Sequence, residues 1–117
     1  MNERSHLISP LMLSRTITND YHNASLTSVN DHEIRMSVMT GQFRWRRHPD
    51  SDETFRGVDG KLVIEFEDHE VVIGPREMIT VLAGTLHRTR PHGERSVNLP
   101  FERVDAATIF EQTAATY

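Results

Sequence analysis

Residues 41–60 read GQFRWRRHPDSDETFRGVDG, and their pattern indicates the type of fold. Large apolar and basic side chains alternate over residues 42–48, and a period of two is typical of a half-buried strand. Residues 49–52, PDSD, supply turn chemistry, and residues 53–56 begin another extended segment. The stretch therefore predicts a strand, a turn and a second strand.

Alternation of apolar and polar side chains with a period of two continues on both sides of residues 41–60. Asp68 and His69 are expected to close a hairpin, and Pro100 is expected to place the last strand at an edge or a bulge. Only residues 106–115 have a pattern that permits a short helix. The further expected strands cover residues 24–29, 34–39, 61–67, 70–73, 78–82, 86–90 and 96–103. Many short strands with almost no helix predict an all-β sandwich or barrel, such as an eight-stranded jelly roll with room for one small ligand.

The length of 117 residues fits one domain. We expect a polar N-terminal arm over residues 1–30, a barrel over residues 31–110 and a C-terminal tail over residues 111–117.

The formal charge of −4 argues against a nucleic-acid surface. No window reaches the roughly 18 apolar residues of a membrane span, and the first residues do not resemble a secretory signal, so we expect a cytoplasmic protein.

The composition narrows the chemistry that a site can use. The chain has no cysteine, which excludes disulfides, thiolate metal sites and cysteine nucleophiles, so nitrogen and oxygen atoms must hold any metal. Lys61 is the single lysine among 13 basic residues, and the other twelve are arginines. Because the guanidinium group suits bidentate capture of carboxylate or phosphate, an anionic small molecule is the expected type of ligand.

Two motifs carry a resemblance to a known family. Residues 41–60 are similar to the first motif of the cupin superfamily, in which a glycine precedes His-x-His, four residues, a glutamate, six residues and a glycine. Residues 83–87, AGTLH, resemble the second motif, Pro-x-Gly-x-x-His. The resemblance implies a small single-domain cupin of the cupin 2 type. Its fold would be all-β, a cupin-type double-stranded β-helix or jelly-roll barrel with little helix.

The resemblance also implies a metal site. Carried over by position, the ligands would be His48, Glu53 and His87, while Arg46 replaces the first histidine of the family motif. Two imidazoles and one carboxylate suit Fe(II) and also hold Mn, Co, Ni or Zn, so the sequence leaves the identity and the presence of the metal open. Two further departures from the family pattern are Arg76 in place of a glycine and Leu82 in place of a proline.

Arg46 leaves two alternatives. Its guanidinium cannot coordinate a metal, and a bidentate pair with Glu53 would remove that carboxylate from the metal. Alternatively, Arg46 points along the barrel and, with Arg44, binds an anionic substrate beside a three-ligand metal. Without the motif spacing, His48 and His87 would be interpreted as ordinary buried histidines.

The sequence thus favours a cupin that binds a small polar or anionic metabolite in its barrel, and it leaves open whether the protein is an enzyme. His48, Glu53 and His87 are the candidate catalytic residues, either as metal ligands or as acid/base groups, and Arg46, Arg44 and Asn98 are the candidate substrate-binding residues. The alternative is a non-catalytic ligand-binding or oligomeric cupin with a degraded, metal-free site. We expect a homodimer, with neither nucleic acid nor membrane as a partner. A sensor module of a regulator would need a separate DNA-binding chain.

Overall fold

A computed structural model describes residue 5 and residues 7–111 of the chain. In this part the chain forms one short helix and ten strands. Their bounds are α1 (Pro10–Ser14), β1 (Tyr21–Val29), β2 (His32–Met39), β3 (Arg46–Arg47), β4 (Glu53–Asp59), β5 (Leu62–Glu65), β6 (Glu70–Ile73), β7 (Met78–Val81), β8 (Arg88–Pro91), β9 (Ser96–Arg103) and β10 (Ile109–Phe110). Within the described residues, no helix has the length and apolar character that crossing a membrane requires.

The strands form two main antiparallel sheets that pack against each other. One sheet has the order β1-β2-β9-β4-β7, the other has the order β6-β5-β8, and β10 pairs with β3 at one end. Met39 and Phe55 of the larger sheet pack against Leu62, Ile64 and Ile73 of the smaller sheet in one core cluster. The predicted all-β jelly-roll barrel is therefore confirmed.

The larger sheet is also covered on its outer face. Met36 and Val38 alternate with inward residues of β2 and form a second cluster with Val97 of β9. Ile17, from the segment after α1, packs against this cluster, and Arg95 donates a hydrogen bond of 2.8 Å to the Ser14 carbonyl oxygen. Coverage on both faces explains why β2 and β9 contain long runs of buried residues.

Within the expected arm, the strand is longer than the one predicted over residues 24–29. Residues 21–29 form the full-length strand β1, which pairs with β2 through a turn where Asn30 has a φ of 54°. Asparagine tolerates this left-handed conformation better than most residues, and it closes a tight hairpin. The polar composition of β1 matches its place at the edge of the sheet, where much of the strand is exposed.

Three local expectations were wrong. Residues 42–45 are not a regular strand, since only the two residues of β3 pair regularly in this region. The described part of residues 106–115 contains β10 and no helix, and residues 112–115 lie outside the described residues. Pro100 lies in the central strand β9, where no pair with β2 forms at Leu99 or Pro100. That gap accommodates the missing N–H of proline.

Gly57 and Arg76 meet where β4 passes the turn before β7. A Cβ atom at Gly57 would lie 2.1 Å from the Gly74 carbonyl oxygen, so only glycine permits this approach. The Arg76 N–H donates to the Gly57 carbonyl oxygen at 3.0 Å, and Arg76 has a φ of 69°. The turn thus keeps the left-handed conformation that suits the glycine expected at residue 76 from the family pattern.

Candidate metal and ligand site

Backbone contacts bring the two motifs together. Arg46 and His87 lie opposite each other in an isolated antiparallel bridge, with both N–H···O distances at 2.9 Å. The Gly84 N–H donates to the His48 carbonyl oxygen at 2.8 Å, and the Ala83 N–H donates to Asp52 Oδ1 at 2.8 Å. The Asp52 side chain therefore ties the first motif to the second.

His48, Glu53 and His87 meet inside the barrel. Glu53 Oε1 lies 3.1 Å from His48 Nε2 and 3.3 Å from His87 Nε2. All three residues are buried, with the His87 side chain 1% exposed, and their ligand-type atoms lie within 4.8 Å of one another. The structure thus brings together the three residues that the sequence nominated as ligands.

Hydrogen bonds fix the orientation of both imidazole rings. His87 Nδ1 lies 2.8 Å from the Thr85 carbonyl oxygen, and His48 Nδ1 lies 3.1 Å from the Ala107 carbonyl oxygen. Because a carbonyl oxygen only accepts, these contacts favour the tautomer with the proton on each Nδ1. In a neutral ring, Nε2 then holds a lone pair, and both Nε2 atoms face the Glu53 carboxylate. Hydrogen bonds of this kind to the outer ring nitrogen orient metal-binding histidines.

The electrostatics of the cluster depend on a second carboxylate, Glu102, whose Oε1 lies 3.5 Å from His48 Nε2. Burial alone would raise the pKa of Glu53, but the neighbouring His48 and His87 rings and the charge of Arg46 hold this pKa well below its usual range. The adjacent Glu53 carboxylate raises the pKa of His48, against the effect of burial. Burial and the charge of Glu53 raise the pKa of Glu102 to about 7. The cluster therefore attracts a cation, whether a proton or a metal ion.

A cavity of about 150 Å³ opens beside the cluster. Arg46 and Asn98, two of the three predicted substrate-binding residues, line it, and Asn98 is only 1% exposed. Arg44 does not line it, because Arg44 is exposed and its guanidinium lies 4.0 Å from the centroid of the Phe110 ring. The irregular backbone before β3 breaks the alternation that predicted a shared face for Arg44 and Arg46.

Arg46 does not form the predicted bidentate pair with Glu53. Its guanidinium lies 4.8 Å from the centroid of the Phe43 ring, and it donates to the Arg44 carbonyl oxygen at 3.3 Å. Of the two alternatives drawn from the sequence, the structure has Arg46 turned into the cavity lining. The Glu53 carboxylate therefore remains available to a metal.

Sequence reasoning missed three contributors to the site. Glu102 comes from the central strand β9, where Asn98, Pro100 and Glu102 all line the cavity. Thr108 Oγ1 lies 3.2 Å from His48 Nδ1, and Asp50 Oδ1 accepts from the Ala107 N–H at 3.1 Å. The alternation of residues 98, 100 and 102 was the only available signal for Glu102, and none existed for the loop after β9.

A small antiparallel barrel with a buried His-Glu-His group defines the cupin class of proteins. The family model described as a cupin domain matches residues 27–100, which is more than half of the chain. The chain belongs to this family, and the resemblance inferred from the two motifs is confirmed.

The relatives agree with this assignment. The chain is 39% identical over 100 residues to the uncharacterized protein YdbB of Bacillus subtilis (strain 168), covering 85% of this chain and 88% of that protein. It resembles the crystal structure of a cupin-2 domain protein from Shewanella frigidimarina NCIMB 400 with a TM-score of 0.77 and 23% identity, covering 83% and 94% of the two chains. It also resembles the DMSP lyase DddQ of Ruegeria pomeroyi DSS-3 with a TM-score of 0.67 and 16% identity, covering 80% and 53%. These two structures share the fold.

Proposed function

We propose that the protein binds a divalent transition metal through His48, Glu53 and His87 and uses it to bind and transform a small polar or anionic molecule. The observation that carries this proposal is the convergence of two imidazole Nε2 atoms on one carboxylate oxygen. A bound metal would act as a Lewis acid toward an oxygen atom of the substrate. The donor set suits Fe, Mn, Co, Ni or Zn.

The protonation of the two rings favours a bound metal ion. With Nδ1 of His48 and His87 held by carbonyl oxygens, two Nε2 lone pairs and an anionic Glu53 oxygen face one another. Lone pairs and a negative charge at about 3 Å repel each other unless a cation lies among them. His48 Nε2 is also buried without a hydrogen-bond partner in the described part of the chain, which is unusual for a buried polar atom. A shared metal ion satisfies all three groups.

Arg46 and Asn98 support the assignment of the substrate class. The Arg46 guanidinium lines the cavity, and no ion pair ties it to a carboxylate among the described residues. Its cationic N–H groups suit a carboxylate or another anionic oxygen group. The Asn98 amide supplies both a donor and an acceptor. The DMSP lyase described above shares this fold and is an enzyme, which supports a chemical role for such a barrel.

The second candidate function is metal-free binding or acid/base chemistry in the same cavity. It is favoured by Arg46, whose positive charge opposes a dication, and by the ion pair that a protonated His48 forms with Glu53. In this alternative a proton takes the place of the metal ion. His48 or His87 would then move a proton on the substrate, or the pocket would only bind.

Elemental analysis of the untagged protein after exposure to Fe²⁺, Mn²⁺, Co²⁺, Ni²⁺ and Zn²⁺ separates the two functions. We expect stoichiometric metal in the wild type, loss of metal in His87→Ala, and no loss in His69→Ala, which removes an exposed histidine. Arg46→His should hold metal at least as well as the wild type. If Arg46→His bound metal and the wild type did not, the proposal would be overturned and the metal-free function would remain.

A further inference from the structure

We propose that Glu102 is a fourth ligand of this metal, which gives a set of two histidines and two glutamates; the inference rests on the proposed metal site. The carrying observation is that Glu102 Oε1 is buried without a hydrogen-bond partner among the described residues and lies 3.5 Å from His48 Nε2. The two unsatisfied atoms therefore face each other across a short gap.

The strand geometry aims Glu102 at the site. It lies on β9 between β2 and β4, and its carboxylate approaches the cluster from the sheet face that lines the cavity. The Glu102 side chain is 15% exposed, so water satisfies its inner oxygen poorly. A buried carboxylate oxygen without a partner is costly to the fold unless a ligand uses it.

Charge balance supports the same role. The positive charge of Arg46 offsets part of the attraction that the negative charge of Glu53 has for a dication. Ionised Glu102 restores a net negative charge beside the two neutral imidazoles. A second carboxylate also makes the donor set harder, which favours Mn²⁺ and Fe²⁺ among the candidate metals.

The test uses Glu33 as a matched control. Glu33 lies directly opposite Glu102 on β2, on the same face of the sheet, and its carboxylate pairs with Arg35. Glu102→Gln and Glu33→Gln each remove one negative charge from neighbouring positions. Titration calorimetry of the metal-stripped full chain with Mn²⁺ measures the affinity of each variant.

We expect Glu102→Gln to weaken Mn²⁺ binding by about 100-fold, at or above the 10- to 100-fold typical of losing an outer-shell partner. Glu33→Gln should stay within about threefold of the wild type, because the field of a partly screened charge is weak. Equal affinities for the wild type and Glu102→Gln would overturn the inference while leaving the three-ligand site intact. No binding of Mn²⁺, Fe²⁺, Co²⁺, Ni²⁺ or Zn²⁺ by the wild type would overturn the proposed function itself.

Two further measurements separate ligation from a charge effect. Loss of a protein ligand should change the visible spectrum of bound Co²⁺ in Glu102→Gln and leave it unchanged in Glu33→Gln. Glu102→Asp keeps the charge but draws the carboxylate back from His48, so a ligand role predicts weakened binding in this variant too. Full rescue by Glu102→Asp with an unchanged Co²⁺ spectrum in Glu102→Gln would overturn the inference. Circular dichroism of each metal-free variant verifies that it is folded.

Discussion

Glu53 and Glu65 both have basic neighbours, but the neighbours of Glu53 are histidines and those of Glu65 are arginines. Glu53 at the start of β4 lies 3.1 and 3.3 Å from two imidazole Nε2 atoms. Glu65 at the end of β5 accepts from Arg88 at 3.2 Å, from Arg90 at 3.0 Å and from Gln42 at 2.9 Å. Each environment lowers the pKa of its carboxyl group against the opposing effect of burial.

The two clusters differ in whether the basic partner of the glutamate can give up a proton. A guanidinium has only donors and keeps its proton, so the oxygens of Glu65 are matched by groups that no metal can replace. An imidazole whose Nδ1 is fixed can present a lone pair at Nε2, so the partners of Glu53 can become ligands. The Glu65 cluster therefore stabilises the three-stranded sheet, and the Glu53 cluster is suited to function.

The largest effect should come from removing the charge of Glu53. Glu53→Gln should weaken Zn²⁺ or Mn²⁺ binding by more than 100-fold, about 2.8 kcal/mol, because it removes an anionic ligand. Glu65→Gln should leave the affinity unchanged in the same calorimetric titration. If both variants lost affinity equally, long-range charge rather than ligation would control binding, and the contrast between the clusters would fail.

A smaller effect should come from the loop that holds His48. Asp50→Ala removes the acceptor for the Ala107 N–H and loosens the carbonyl group that fixes His48 Nδ1. We expect metal affinity to fall by about tenfold, as is typical when a group that holds a metal-binding residue in place is lost. Asp59→Ala is the control, since Asp59 caps the Gly60 N–H in a turn outside the cavity lining. An unchanged affinity in Asp50→Ala would show that the ring is held in another way.

The smallest effect should be a change in the free energy of unfolding when Glu65, in the second cluster, is substituted. Glu65→Gln should lower the free energy of unfolding at neutral pH by about 0.5–1 kcal/mol, as for partly exposed ion pairs. Because the pKa of Glu65 is lowered in the folded state, its contribution is full above the ordinary value of 4.5 and is lost as the pH falls through the folded-state value. Urea unfolding of both proteins from pH 7 to pH 3 should show the difference shrinking. A difference that grew toward low pH would contradict this sign.

The sequence predicted the parts of the site that depend on local spacing. His48, Glu53 and His87 could be located because a two-residue step along a strand, a four-residue turn and a glycine-containing turn place them in order. The alternation of apolar residues likewise predicted most strands. These features depend on residues close together in the chain, so a single sequence contains them.

The remaining parts depend on contacts between distant segments. Glu102 was missed because Pro100 suggested an edge strand, whereas the sheet accommodates this proline in its centre by leaving out a pair. The direction of the Arg46 side chain depends on the Phe43 ring, and the tautomer of His48 depends on Thr108 and its neighbour Ala107. None of these contacts leaves a periodic pattern in the sequence.

The central claim is that His48 and His87 hold protons at Nδ1 and offer Nε2 to a metal. Long-range ¹H–¹⁵N correlation spectra of protein labelled at histidine nitrogens, with and without Zn²⁺, test it directly. The account predicts that Zn²⁺ shifts the Nε2 resonances of these two rings, retains both Nδ1 protons and leaves exposed His69 unchanged. Spectra in which Zn²⁺ leaves both Nε2 resonances in place, or in which the neutral rings carry the proton at Nε2, would contradict it.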